Sequence, residues 1–368
     1  MKRQSPFEVP RSLRELPGLI DPHVHLREPG QTHKEDFDSG TAAALAGGFT
    51  TVLAMPNTDP PLTDASSFGK AQAAARAKAR CDYGLFLGAG EANVSIGTEF
   101  GVQACGLKVY MDQTFGELRM QSLPALIEHF KRWPGARPIA CHAEGHSLAV
   151  ILAFAHLFER RVHICHVSTA VEIQLIRLAK ERGTQVTCEV SPHHLFLSEE
   201  DVPALGRGRS EVRPRLARPE DVAALWESFH VVDCIATDHA PHTLPEKDGE
   251  HPPPGFPGLE TALSLMLGAV REGRLTADDL VLRMHTNPRH IYDLAPQEET
   301  RVEVDTHQVW EVRGTELHSR CGWSPFEGMK LRGRVRRVVL RGTLAYEDGE
   351  ALAPPGFGRD VISALVPA

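Results

Sequence analysis

From residue 17 to about residue 290, short apolar runs alternate with segments in which apolar residues recur at helical spacing. Eight of the runs have the length and character of buried strands: 17–25, 49–55, 83–89, 106–111, 138–143, 162–167, 185–190 and 231–237. Helical patterns lie between or after them, at 35–46, 64–80, 121–132, 146–159, 169–182, 219–229, 259–272 and 276–285. The interval between the third and fourth strands shows no helical pattern and reads as irregular. Strands that alternate with helices imply a parallel sheet, and eight such units predict an α/β fold of the (β/α)8 TIM-barrel type. An open doubly wound sheet is the alternative, but the Gly-x-Gly-x-x-Gly turn that often marks it is missing.

Beyond about residue 295 the period drops to two. Val302-Glu303-Val304-Asp305 and the stretch 330–346 predict antiparallel strands. The expected organisation is a barrel over 17–295 flanked by a small β module from 296–368, with 1–16 as a lead-in or a further part of that module. Pro354-Pro355-Gly356 breaks the order near the end.

Composition narrows the partners more than the fold. Across 368 residues, 42% hydrophobic and 24% charged side chains are ordinary for a soluble protein. A net charge of -8 argues against a nucleic acid or an anionic membrane as partner. An anionic small substrate would therefore need its own local arginines. No apolar run is long enough to span a membrane, and no apolar h-region follows Met1-Lys2-Arg3-Gln4. Seven cysteines, at 81, 105, 141, 165, 188, 234 and 321, are scattered singly without a Cys-x-x-Cys pair. A reduced, cytoplasmic protein is the expectation.

The unusual polar residues fall at strand ends, where the chemistry of such a barrel sits. His23 and His25 are two apart at the end of the first strand, so they face one space. Arg27 continues their phase, and Asn57 follows the second strand. Lys108 lies in the fourth. His142 ends the fifth and His166 the sixth; their spacing is one βα unit, so they should converge. Asp238 ends the eighth, with His239 and His242 next to it. Singly, each has a structural reading: a hydrogen-bonded histidine, an outward lysine, a helix-capping aspartate. Together on one face they predict a metal site.

Lysine is the informative member. A protonated ammonium has no lone pair and would repel a dication. Addition of carbon dioxide would turn it into an anionic carbamate, whose two oxygens can bridge metals about 3.5–4 Å apart. His23, His25 and Asp238 would then hold one metal and His142 and His166 the other, sharing Lys108. A hydroxide between the metals would be the nucleophile.

These residues sit in long motifs: 21–30 (Asp-Pro-His-Val-His-Leu-Arg-Glu-Pro-Gly), 54–58 (Ala-Met-Pro-Asn-Thr), 106–110 (Gly-Leu-Lys-Val-Tyr) and 163–167 (His-Ile-Cys-His-Val). Ser191-Pro-His-His-Leu195, Thr237-Asp-His-Ala-Pro-His242 and 254–260 (Pro-Gly-Phe-Pro-Gly-Leu-Glu) complete the set. From about Leu16 to Gly358 the chain resembles the dihydroorotases of the amidohydrolase superfamily. It is most similar to the dihydroorotase domain of the animal multifunctional proteins that also carry carbamoyl-phosphate synthetase and aspartate transcarbamoylase. The resemblance implies reversible closure of N-carbamoyl-L-aspartate to L-dihydroorotate in pyrimidine synthesis. It implies two zinc ions, or three, with Lys108 carboxylated and His23, His25, His142, His166 and Asp238 as ligands. Asp238 would shuttle the proton. Arg27 and Asn57 would hold the substrate carboxylate, and Arg213, His242 and backbone around Pro254 would complete the pocket.

Met111 to Gly116 corresponds to a mobile loop in this family, with Thr114 against substrate and Phe115 shutting out water; an ordinary surface turn is the alternative. Cys165 and Glu189 could reach a third metal near His23. Cys165 and His166 are neighbours, however, and would face opposite ways in a regular strand. Only a bulge or a strand-end twist turns both inward; otherwise Cys165 is a buried thiol and Glu189 a carboxylate behind a ligand. A homodimer, or a place in a multifunctional polypeptide, is the expected assembly. A hydantoinase, dihydropyrimidinase or allantoinase would keep the same metals without the carboxylate grip, and a non-catalytic scaffold would have lost its ligands.

Overall fold

The computed structural model describes residues 14–134 and 137–362. Eight parallel strands pair in chain order: β2 (Leu19–Val24), β3 (Phe49–Ala54), β4 (Asp82–Gly88), β5 (Gly106–Tyr110), β6 (Ile139–His142), β7 (Val162–Ile164), β8 (Val186–Val190) and β9 (Cys234–Ile235). Beyond β9, Val24 bridges His239 in parallel and His25 N–H donates to His239 O at 2.7 Å, drawing the last strand to the first. Nearly every strand residue is buried, because helices cover the outside and side chains fill the inside. One end of the interior is apolar, with Ile20, Leu53, Phe86, Ala140, Cys234 and Tyr292 in one cluster. The polar strand ends occupy the other.

Helices follow the strands where capping residues start them. Asp36 caps Phe37–Ala46, Asp64 caps Ala65–Lys78 and Thr169 caps Ala170–Glu181, each in a reciprocal capping box with the residue three further on. Between β4 and β5, where the pattern is irregular, the chain forms the short helix Ile96–Phe100 and a 3-10 turn. Five residues are too few to reveal a helical period. The helix expected over 276–285 is interrupted: Ala277–Val281 is α, Leu282–Thr286 is a π turn, and Asn287–Ile291 resumes. Strands β7 and β9 are shorter than their apolar runs, in part for a reason that belongs to the site.

A second sheet of five antiparallel strands has the order β1 (Glu15–Pro17), β10 (Arg301–Glu311), β11 (Lys330–Leu340), β12 (Thr343–Glu347) and β13 (Glu350–Ala351). Residues 1–13 and 363–368, assigned by pattern to the flanking module, lie outside the described residues. Val302 and Val304 face inward two apart on β10, and Val335 and Val338 are both buried on β11, where a bulge shifts the register. The sheet lies against the helix Leu259–Arg271. There Gly333 has φ +100°, and a Cβ on it would stand 2.7 Å from Leu267 Cδ1, so only glycine fits. This module also reaches the barrel mouth, where the Trp323 indole donates to His242 O at 2.7 Å.

Seven cysteines are free and buried, and no helix is long and apolar enough to cross a membrane among the described residues.

Candidate metal centre and its pocket

The period of two at the end of β2 brings His23 and His25 to one side, with ring centroids 5.2 Å apart. Their Nε2 atoms lie 3.2 and 3.1 Å from the same oxygen, Asp238 Oδ1. Their Nδ1 atoms are engaged from behind, His23 by Glu189 Oε1 and His25 by Asn57 Oδ1 at 2.6 Å. An oxygen acceptor at Nδ1 fixes the proton there and leaves the Nε2 lone pair facing the shared space. Asp21 ties the two strand ends together. Its carboxylate accepts from His23 N–H and Thr237 N–H, each at 3.1 Å, and from the Thr237 hydroxyl.

The second pair comes from β6 and β7. His142 Nδ1 and His166 Nε2 are 2.9 Å apart, and His142 Nε2 meets Glu144 Oε1 at 3.1 Å. The His166 ring is 5.3 Å from that of His23, so the two pairs adjoin. Lys108 is fully buried, with Nζ donating to Cys165 Sγ, the neighbour of His166, at 2.8 Å.

Cys165 and His166 do both turn inward. The strand stops at Ile164, and His166 takes a left-handed backbone with φ +34°. Arg27 (φ +59°) and Asp238 (φ +47°) do the same. Left-handed backbone is costly for residues other than glycine, and it persists where the surroundings enforce it. At Arg27, His166 and Asp238 it bends the chain at the mouth and aims side chains that a straight strand would send elsewhere. That is why β7 ends short of its apolar run; the run of β9 is also cut at its start, by the 3-10 turn Phe229–Val231.

Two donor groups result: His23, His25 and Asp238, and His23, Cys165 and Glu189. Within each, ligand atoms lie within 4.8 Å of one another. Burial pushes His25 down to about 4 and His166 well below its usual range, so both rings are neutral. Burial works to raise Asp238 and Glu189, but His23 and its neighbours hold both well below the ordinary carboxylate range. Neutral imidazoles and ionised carboxylates are the protonation states a metal requires. His142 Nδ1 and His166 Nε2, 2.9 Å apart, are a little closer than the roughly 3.3 Å that two nitrogens on one tetrahedral zinc keep, so a small shift of the rings would admit the ion. In addition, His166 Nδ1 is buried without a hydrogen-bond partner. Nitrogen donors with carboxylates suit zinc.

Above this cluster lies a small cavity that opens to solvent. Arg27, Asn57, Thr114, Phe115, Arg213 and Pro254 all line it. His242 stands behind Arg27, with Nε2 3.0 Å from Arg27 Nη2 and 3.1 Å from Pro254 O. Arg27 is 1% exposed; its Nε donates to Pro241 O at 3.1 Å, and its Nη1 has no partner. Burial lowers its pKa to about 10, so it stays a cation at neutral pH. Arg213 also lines the cavity, though its Nη1 is paired with Glu211 at 2.8 Å. Phe115 roofs the pocket: its ring is 4.9 Å from the Arg27 guanidinium and 4.7 Å from the His242 ring, and its carbonyl accepts from Asn57 Nδ2 at 3.1 Å. Gly255 closes the far wall with φ +147°, and a Cβ there would meet Ala240 O at 2.4 Å.

Two residues here carry signals too faint for sequence reasoning to use. Lys34 Nζ sits 4.4 Å from the Phe115 ring and 3.2 Å from His242 Nδ1, but it comes from an aperiodic loop. Tyr110, which lines the cavity, shares the strand phase of Lys108, and that phase was the available clue.

A barrel whose strand ends gather imidazoles and carboxylates around a buried lysine defines a class, the barrel metallohydrolases. Within that class the chain belongs to the amidohydrolase family, whose pattern matches residues 16–240, and among its members to the dihydroorotases. It is 36% identical to the dihydroorotase of Pyrococcus furiosus over 358 residues, covering 92% of this chain and 83% of that one. It is 58% identical to the multifunctional protein CAD of Squalus acanthias over 346 residues, which are 94% of this chain and 15% of CAD. The chain thus spans about a sixth of the length of its multifunctional relatives. Among solved structures, the L-hydantoinase (dihydropyrimidinase) of Arthrobacter aurescens superposes with a TM-score of 0.90 at 26% identity, over 94% of this chain and 88% of that one. The inactive dihydroorotase-like domain of a Chaetomium thermophilum CAD-like multifunctional protein gives 0.81 at 31% identity, over 94% and 98%.

Proposed function

We propose that this chain is a metal-dependent dihydroorotase, interconverting N-carbamoyl-L-aspartate and L-dihydroorotate with loss or gain of water. The observation that carries this reading is the buried Arg27 guanidinium, with Nη1 unpaired, beside the Asp238 cluster. An anion-binding group next to a hydrolytic centre suits a cyclic amide that bears a carboxylate. Hydantoin and dihydropyrimidine rings bear none.

His23, His25 and Asp238 would hold one zinc and His142 and His166 a second, and Lys108, once carboxylated, would supply an anionic oxygen ligand between the two sets. The two metals, when bound, polarise the scissile carbonyl and make water acidic near neutral pH. Arg27 binds the substrate carboxylate in a planar two-point contact, with His242 and backbone at Pro254 behind it. Asn57 exchanges its bond to the Phe115 carbonyl for the same carboxylate, which couples substrate binding to the loop. Thr114 and Phe115 close over the substrate and exclude water. Asp238 passes the proton between the oxygen being lost and the ring nitrogen. Glu189 and Asn57 orient His23 and His25. A third ion at His23, Cys165 and Glu189 would have to displace the existing His23–Glu189 hydrogen bond. The small molecule is the partner, whether the chain acts alone or within a multifunctional polypeptide.

The scaffold reading is disfavoured because every candidate ligand position is filled. The test is turnover of dihydroorotate, hydantoin, dihydrouracil and allantoin by the zinc-loaded protein. Dihydroorotate should be hydrolysed, and carbamoyl aspartate cyclised, far faster than the others are opened. Faster opening of hydantoin, or no turnover by fully loaded protein, would overturn the proposal.

A further inference from the structure

Among the described residues, nine buried side-chain polar atoms have no hydrogen-bond partner, and two of them are phenolic oxygens. Tyr292 Oη lies in the apolar end of the barrel. Tyr110 Oη is different, because its residue lines the cavity above the metal centre. A buried hydroxyl left unpaired destabilises the protein, and phenylalanine of the same shape would avoid that cost. The position demands explanation.

Tyr110 is two residues beyond Lys108 on β5, so the two side chains share a face. Its ring lies 5.0 Å from Lys108 Nζ and 6.2 Å from the His142 ring, and the residue is 2% exposed. The ring packing fixes the phenol at the cavity wall, adjacent to the candidate ligands. Arg27 serves a carboxylate and the metal cluster serves the reacting carbonyl. A cyclic ureide presents one more strong acceptor, the carbonyl between its two nitrogens, and that oxygen needs a donor.

We propose that Tyr110 is a substrate-binding residue whose hydroxyl donates a hydrogen bond to the ureido carbonyl, so that ligand binding satisfies a group the free protein leaves unpaired. The assignment rests on the dihydroorotase reading for which oxygen is left over. It does not rest on that reading for the unpaired hydroxyl itself.

The test is Tyr110→Phe in the zinc-loaded protein, with Tyr292→Phe as control. In Tyr110→Phe, KM for dihydroorotate and for carbamoyl aspartate should rise about tenfold, as loss of a buried hydrogen bond predicts. Bound metal should be unchanged. The apparent Tm without substrate should hold or rise, while its increase on adding carbamoyl aspartate should shrink. Tyr292→Phe should leave KM unchanged. The proposal is overturned if Tyr110→Phe keeps wild-type KM and the full ligand-induced Tm shift, or if it loses metal, which would make the phenol structural. If wild-type protein opens hydantoin and not dihydroorotate, the proposed function has failed; the same KM comparison made with hydantoin then judges Tyr110 independently.

Discussion

Lys108 Nζ donates to Cys165 Sγ across 2.8 Å, and neither residue is more than 2% exposed. Among the described residues no carboxylate forms an ion pair with this ammonium. An unpaired buried cation is expensive, and here it lies close to imidazoles suited to bind dications. Conversion to a carbamate would reverse the sign of the charge and turn the conflict into a ligand.

The Lys108→Ala variant should therefore lose nearly all turnover and a large part of its bound metal. Short carboxylic acids should restore some of each by filling the space of the lost side chain. Metal analysis and intact-protein mass together check this, the mass showing one added carbon dioxide in wild type only. Wild-type activity in the variant without added acid would sink the bridge.

Arg27→Met should raise KM sharply while metal content stays near normal. Its guanidinium touches Pro241 O and His242 and leaves Nη1 for substrate. Loss of a charge-assisted hydrogen bond is worth about 1.5–3 kcal/mol, or roughly 10- to 150-fold in KM. If metal is lost instead, Arg27 supports the cluster rather than the substrate.

What could be read from sequence was whatever repeats. The period of two put His23 with His25, and the βα spacing put His142 with His166; the eight strands are where the apolar runs are. What could not be read was local backbone that breaks the period. The turn at His166 decides that Cys165 and His166 converge, yet nothing in Val162-His-Ile-Cys-His announces a φ of +34°. Asn57 shows the same limit at the level of side chains. Its motif suggests a carboxylate contact, whereas in the structure one end holds His25 and the other the Phe115 carbonyl. Spacing fixes which residues meet, but not which atom of each is already occupied.

Acid stability should depend on Glu246. Its carboxylate accepts from Thr243 N–H at 2.9 Å and pairs with Lys34 Nζ at 3.0 Å. Burial opposes ionisation, but these contacts outweigh it and bring the pKa down from 4.5 to about 2. A depressed acid favours the folded state wherever it is ionised. The contribution is complete above pH 4.5 and is lost as pH falls from there towards about 2. Glu246→Gln should thus flatten the fall of Tm over that window and lower Tm at neutral pH. A Tm profile parallel to wild type across the window would refute this role.

The same lysine connects that acid to the loop over the pocket. Lys34 Nζ lies 4.4 Å from the Phe115 ring, 3.0 Å from Glu246 Oε1 and 3.2 Å from His242 Nδ1. The ammonium thus meets an aromatic face, a carboxylate and the imidazole behind Arg27. Lys34→Met keeps the apolar stem and removes all three polar contacts. A desolvated cation over an aromatic ring contributes about 0.5–2 kcal/mol, so KM should rise roughly 2- to 30-fold as the closed loop becomes less favoured. Hydrogen exchange of the amides over 112–118 should quicken in the absence of substrate, and Lys34→Arg, which keeps a cation over the ring, should recover most of both effects. Bound metal should not change, since Lys34 touches no candidate ligand. Unaltered exchange and KM in Lys34→Met would mean that Phe115 is held by Arg27 and Asn57 alone.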